Sequence, residues 1–266
     1  MSPETGGAAF FDLDKTLIEG SSGVHFARAA YGSGMIGRRE LLGDLWANVK
    51  FRIEGSIDVG SEDIRKRILH PIAGTPVKEL QRLSPSVLAG VLPRVYPEVL
   101  RTAYDHQDAG RPAFIVTAAS HEMAEMMAHV LVLDGGIGTR SKVRNGVYTG
   151  EPDGPFTYRS GKAEAIARVA AERGIDLAAS YAYSDSESDL PMLEAVGHPV
   201  AVNPDSALER IARERGWRIM RFDQLRRRVR IGAVLAGMGL VGGGGGYLAG
   251  RLRDGGGRSL RRPLRR

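Results

Sequence analysis

Ala8-Ala9-Phe10-Phe11-Asp12-Leu13-Asp14-Lys15-Thr16 is an apolar run that ends in Asp-x-Asp-x-Thr. It reads as a buried strand with two carboxylates and a hydroxyl at its tip. Residues two apart in an extended chain point the same way, so Asp12 and Asp14 can face one site if strand geometry persists past Phe11. In an open α/β sheet, ligands bind outside the carboxyl ends of the strands, and these side chains fall there.

On either side of this run, apolar stretches alternate with helical patterns, the signature of a parallel sheet covered by helices. Pro112-Ala113-Phe114-Ile115-Val116-Thr117 predicts a second strand, and Ser120 an N-cap for a helix reaching about Val130. Ser160-Gly161-Lys162 opens a helix that runs to about Arg173 and stops at Gly174. Ala182-Tyr183-Ser184-Asp185 ends a short strand, and Pro199-Val200-Ala201-Val202 precedes Asp205, the cap of a last helix to about Arg215. Asn145-Gly146 marks a hairpin between extended segments within 141–148.

Between Thr16 and about Arg111 the alternation stops. Leu42, Leu45, Trp46, Val49 and Ile53 recur at helical spacing, and Ser84-Pro85 and Tyr96-Pro97 read as helix starts with proline at the first helical position. The expected organisation is a Rossmann-like parallel-sheet core from residues 1–18 and 107–222, with a helical cap, 19–106, inserted after the first strand.

The 266 residues suffice for a sizeable core, and the absence of cysteine excludes disulfides, thiolate metal sites and cysteine nucleophiles. That absence suits a reducing cytoplasm, and residues 1–9 show no leader pattern, so a cytoplasmic catalytic domain is expected. The net charge of +6 divides unevenly: residues 221–266 hold 12 Arg against two Asp, and the remainder carries a net −4. The basic charge belongs to a tail, and the main body shows no nucleic-acid surface. Within that tail, residues 231–250 carry no charge and have the length of a membrane span, but nine are glycine, so insertion is marginal.

Each candidate residue has a bland alternative on its own: Asp-x-Asp-x-Thr as a solvated strand end, Thr117 as a strand-end hydroxyl, Lys162 as a first-turn lysine, Asp185 with Asp189 as a turn and cap pair. Their order at successive strand ends favours one site. A phosphate monoester is a dianion near neutral pH, so a carboxylate nucleophile approaches it only where positive charge offsets the repulsion. Asp12 and Asp185, with the backbone carbonyl of Asp14, offer hard oxygens for Mg²⁺. Lys162 offers a fixed cation, and Thr117 a hydroxyl donor to a phosphoryl oxygen.

Asp12-x-Asp14-x-Thr16, Thr117, Lys162 and Asp185-x-x-x-Asp189 resemble the four motifs of the haloacid dehalogenase-like phosphohydrolase superfamily, over nearly all of residues 8–222. The helical insertion after the first motif is similar to subfamily IB, which includes the phosphoserine phosphatases. The resemblance implies that Asp12 attacks phosphorus to form an aspartyl-phosphate, while Asp14 protonates the leaving alcohol and later takes a proton from water. It implies Asp12, Asp14 and Asp185 as Mg²⁺ ligands, Thr117 and Lys162 as phosphate contacts, Asp189 as a supporting partner behind them, and Thr16 as a residue that orients the loop. The expected substrate is a small phosphorylated metabolite.

Three positions depart from the family pattern. Ser21 stands nine residues after Asp12, where phosphoserine phosphatases carry a Glu that meets the substrate amine, which counts against phosphoserine. Ser188 replaces an Asn, and Lys15 a Gly. Other readings stay open: the tail, 226–266, holding the site at a membrane for a phospholipid-derived phosphate, or a scaffold whose tail binds anionic lipid or nucleic acid. Intact Asp12 and Asp14 argue against the scaffold. The six histidines lack metal-ligand spacing, although His121 sits where a helix start nears phosphate.

Overall fold

The structure, a computed structural model, describes residues 6–37 and 72–222. The helical stretch around Leu42 to Ile53 and the tail with its 231–250 segment lie outside the described residues, among which no helix is long and apolar enough to cross a membrane.

β1 (Ala9–Asp12) is buried at every position. α1 (Ser22–Gly32), α2 (Val77–Arg82), α3 (Ser84–Val91) and α4 (Pro97–Asp108) follow it. β2 (Ala113–Ser120), α5 (His121–Val130) and β3 (Gly135–Thr139) come next, then the hairpin β4 (Ser141–Arg144) and β5 (Val147–Pro152). The chain closes with α6 (Ser160–Arg173), β6 (Tyr181–Ser184), α7 (Leu190–Glu194), β7 (His198–Val202), α8 (Ser206–Glu214) and β8 (Arg218–Met220). The main sheet has the order β3-β2-β1-β6-β7-β8, every neighbouring pair parallel. β1 therefore lies between β2 and β6, and the site elements leave the sheet from adjacent strands.

Strand alternation divides the core into two faces. Phe10, Phe114, Val116, Ala182 and Ala201 point to one face and pack with Ile166 of α6, Met192 and Leu193 of α7, and Leu208 and Ala212 of α8. Each large apolar side chain buried here stabilises the fold by roughly 1.5–3 kcal/mol. On the opposite face Phe11 stacks on Tyr183, ring centroids 4.4 Å apart, and meets His106 of α4 edge-on. α4, which lies inside the segment expected to form the cap, thus packs its inner face on the sheet: His106 is buried, and its Nε2 lies 2.7 Å from the Tyr183 hydroxyl.

Local signals set the element ends. Ser120 and Asp205 cap α5 and α8 through side-chain oxygens that accept from the N–H groups of Met123 and Leu208. Gly174 ends α6 in the left-handed conformation, and Asn145 and Gly146 take the positive φ that a two-residue hairpin turn requires. Pro97 opens α4, whereas Pro85 is the second residue of α3. One difference matters for the site. β2 runs on to Ser120, which pairs with Thr139 beyond a register irregularity after Val116, so Thr117 lies within an irregular strand end rather than closing a regular one.

Candidate active site

Asp12 ends β1, and Lys162 lies in the first turn of α6 with 3% of its surface exposed. Its Nζ stands 2.5 Å from Asp12 Oδ1 and 2.6 Å from Asp189 Oδ2. Asp189 closes the short 3-10 turn Glu187–Asp189, and the Ser184 hydroxyl, from the end of β6, donates to the same Oδ2 at 2.7 Å. Burial alone would push the lysine towards neutrality. The two carboxylates outweigh that effect and hold its pKa above the ordinary lysine range.

The carboxylates carry the opposite strain. Burial pushes the Asp12 carboxyl up to about 7 even with Lys162 beside it, and burial followed by the charge of Asp12 pushes Asp185 up to about 8. Asp14 is raised by burial as well, against hydrogen bonds from Ser22 and Ser21 that favour its ionised form. Asp12, Asp14, Asp185 and Asp189 face one buried cation, Lys162, and one half-exposed cation, Lys15, whose Nζ lies 3.9 Å from Asp185 Oδ2. That surplus of negative charge suits a divalent cation. Among the described residues no three His, Asp or Glu side chains gather as a metal cage. The carboxylates of Asp12 and Asp185 could hold such a cation as a sparse oxygen set of the kind magnesium completes with water.

Thr117 is buried, and its Oγ1 accepts from the Ala119 N–H at 3.2 Å, which leaves the hydroxyl proton to donate elsewhere. Thr16 is fully buried, and its Oγ1 has no hydrogen-bond partner, while Leu17 and Ile18 fold back onto the Leu13 carbonyl. Lys15 adopts φ of +64°, a conformation that glycine takes without strain. Ser188 Oγ pairs with Ser186 Oγ at 3.1 Å.

Three contacts, from Ser22, Ser21 and Ser184, involve residues outside the sequence-derived site. Ser22 N–H donates to Asp14 Oδ1 at 2.8 Å and Ser21 Oγ to Oδ2 at 3.3 Å, so the start of α1 holds the second carboxylate. Ser184 stands in the sequence only as part of a short strand, and its position immediately before Asp185 is the one local signal that its hydroxyl reaches the site. His121 opens α5, with Nδ1 buried and unpartnered, beside a cavity of about 320 Å³ that Phe26 of α1, Leu80 of α2 and Val87 of α3 also line. Burial, then the charge of Arg140, lowers its pKa.

The haloacid dehalogenase-like hydrolase family matches residues 9–194, more than half of the chain. The chain is a haloacid dehalogenase-like hydrolase. This hydrolase is 38% identical over 252 residues to a Mycobacterium tuberculosis protein named phosphoserine phosphatase SerB1, covering 93% of the chain and 81% of that protein. It is 31% identical over 222 residues to a histidinol-phosphatase of Neisseria meningitidis, covering 80% of the chain and 98% of that protein. A crystal structure of a Bordetella pertussis protein of unknown function superposes with a TM-score of 0.71 at 28% identity, covering 81% of this chain and 98% of the other. The hydrolase has the α/β Rossmann-like fold of its family and is a phosphatase.

Proposed function

We propose that this phosphatase is a Mg²⁺-dependent phosphomonoesterase that acts on a small organic phosphate through an aspartyl-phosphate on Asp12. The observation that carries the reading is the shared ammonium: Lys162 lies between Asp12 and Asp189, beside Asp185, with no other buried cation among the described residues near it. Bound magnesium would be held by Asp12, Asp185 and the Asp14 carbonyl, and it would supply the charge that lets a carboxylate approach a phosphate dianion.

Asp12 attacks phosphorus in line; the Oδ–P bond forms as the ester P–O bond breaks, and Asp14 gives its proton to the departing alkoxide. Asp14 then removes a proton from water as that water attacks phosphorus and the Oδ–P bond breaks. Inorganic phosphate leaves, and both aspartates are restored. Lys162 stabilises the charge on the phosphoryl oxygens, and Thr117 donates to one of them. Asp189 and Ser184 hold the ammonium in place.

Phosphoserine and histidinol phosphate, the substrates in the two relatives' names, are both phosphate esters of small amino alcohols. That class is where this chain's substrate is sought. The test is turnover of a phosphomonoester panel with Mg²⁺ by the wild type and Asp12→Asn. The expected result is loss of turnover by several orders of magnitude in the variant and on chelation of the wild type. Equal rates in the two proteins would remove Asp12 as nucleophile.

A further inference from the structure

α1 begins with a serine that does not cap it. Ser21 has the extended backbone of an N-cap residue, φ −121° and ψ 128°, yet its side chain accepts nothing from the first turn. The hydroxyl is turned the other way, donating to Asp14 Oδ2, while the first N–H of the helix, Ser22, donates to Oδ1. Asp14 takes the place of the cap: its carboxylate supplies the acceptor and the negative charge that a helix start favours. The intervening loop is built for this return. Lys15 N–H donates to the Gly20 carbonyl at 3.1 Å, and Gly20 takes φ of +93°.

From this geometry we infer that Ser21 is a positioning residue for Asp14, fixing the carboxyl that exchanges protons with the leaving group and with water. The inference rests on the proposed role of Asp14. A group that alternates between carboxylic acid and carboxylate needs a neighbour able to serve both forms. A hydroxyl does so: it donates to the carboxylate and can rotate its proton aside beside the acid, whose own proton is left for the leaving group. The Ser22 N–H can only donate, so it fixes one oxygen and leaves the other to the serine. Because Ser21 and Ser22 belong to the start of α1, the orientation of the acid is tied to the first helix of the cap segment.

The test compares kcat/KM for the wild type, Ser21→Ala and Ser21→Thr on two esters: the alkyl phosphate turned over fastest in the panel, and para-nitrophenyl phosphate. An alkoxide leaves only with a proton, whereas nitrophenolate leaves unaided. Ser21→Ala is expected to lose about tenfold on the alkyl ester and less than about twofold on the aryl ester, with Ser21→Thr close to wild type on both. Its melting temperature is expected to stay near wild type, since no cap hydrogen bond is lost. An equal fall on both esters, or on neither, would overturn the role of Ser21. Asp12→Asn runs alongside, and wild-type turnover by that variant would remove the phosphatase mechanism and this inference with it.

Discussion

Asp12 and Lys162, 150 positions apart in the chain, are in direct contact, with Nζ 2.5 Å from Oδ1. The pair is buried at both ends, and the same ammonium serves Asp189. A buried ion pair adds little net stability, but removing one partner leaves the other charged and unpaired in a dry site.

Lys162→Met is therefore expected to cost about 3–5 kcal/mol of stability. It should also lower kcat/KM by roughly a thousandfold or more, because the phosphoryl oxygens lose a fixed cation. Urea unfolding and steady-state kinetics check the two effects. A stable variant with near-normal turnover would refute both.

Magnesium should stabilise the protein independently of turnover. A cation held by Asp12 and Asp185 offsets the negative charge that, after burial, raises both carboxyls: that of Asp189 and Asp14 at Asp12, and that of Asp12 and Asp189 at Asp185. Saturation at about a hundred times Kd corresponds to about 2.7 kcal/mol, which is read as a rise in Tm. Asp185→Asn is expected to have a higher Tm than wild type without metal and to lose most of the magnesium-dependent rise.

His106 gives the fold an acid-labile point where α4 meets the sheet. Arg111 Nε–H donates to its Nδ1 at 2.9 Å, so that nitrogen must be the acceptor and Nε2–H faces Tyr183. Burial, then the charge of Arg111, lowers its pKa from 6.5 to about 4, with Asp105 opposing and Arg218 adding to the shift. The unfolded chain takes up the proton first, so stability is intact above pH 6.5 and falls as pH drops from there towards 4. Between about pH 7.5 and about pH 5 the wild type should lose about 2 kcal/mol more than His106→Gln, which keeps one donor and one acceptor. Parallel pH profiles in urea unfolding would contradict this.

Gly161 precedes Lys162, and a Cβ there would lie 1.8 Å from the Phe156 carbonyl oxygen, a backbone atom. Gly161→Ala must shift the start of α6 and the lysine with it. The expected cost is about 1–3 kcal/mol together with a fall in kcat. Gly23→Ala, whose Cβ would meet only Ser21 Oγ at 3.5 Å, serves as the tolerated control in the same melting and rate assays.

Much of the frame was legible because its signals are local. Ser120, Asp205, Gly174 and Asn145-Gly146 act within four residues of themselves, through cap hydrogen bonds or left-handed backbone. The apolar run at Phe10 and Phe11 specified a buried strand wherever it was placed. The extension of β2 past Thr117 was not legible, because it depends on pairing with β3, and neither was α4 lying on the sheet, because the helical period of residues 97–108 does not name the surface it packs against.

The order of the chemical groups is written in the primary structure: Asp12 and Asp14 at a strand tip, then Thr117, Lys162, Asp185 and Asp189 near later element ends. Tertiary structure alone decided that one ammonium is divided between Asp12 and Asp189, and that Ser21 turns from its own helix to Asp14. The reason is the range of the forces. Periodicity and capping operate over a few residues, whereas a contact across 150 positions exists only once parallel strands are in register and their helices have packed.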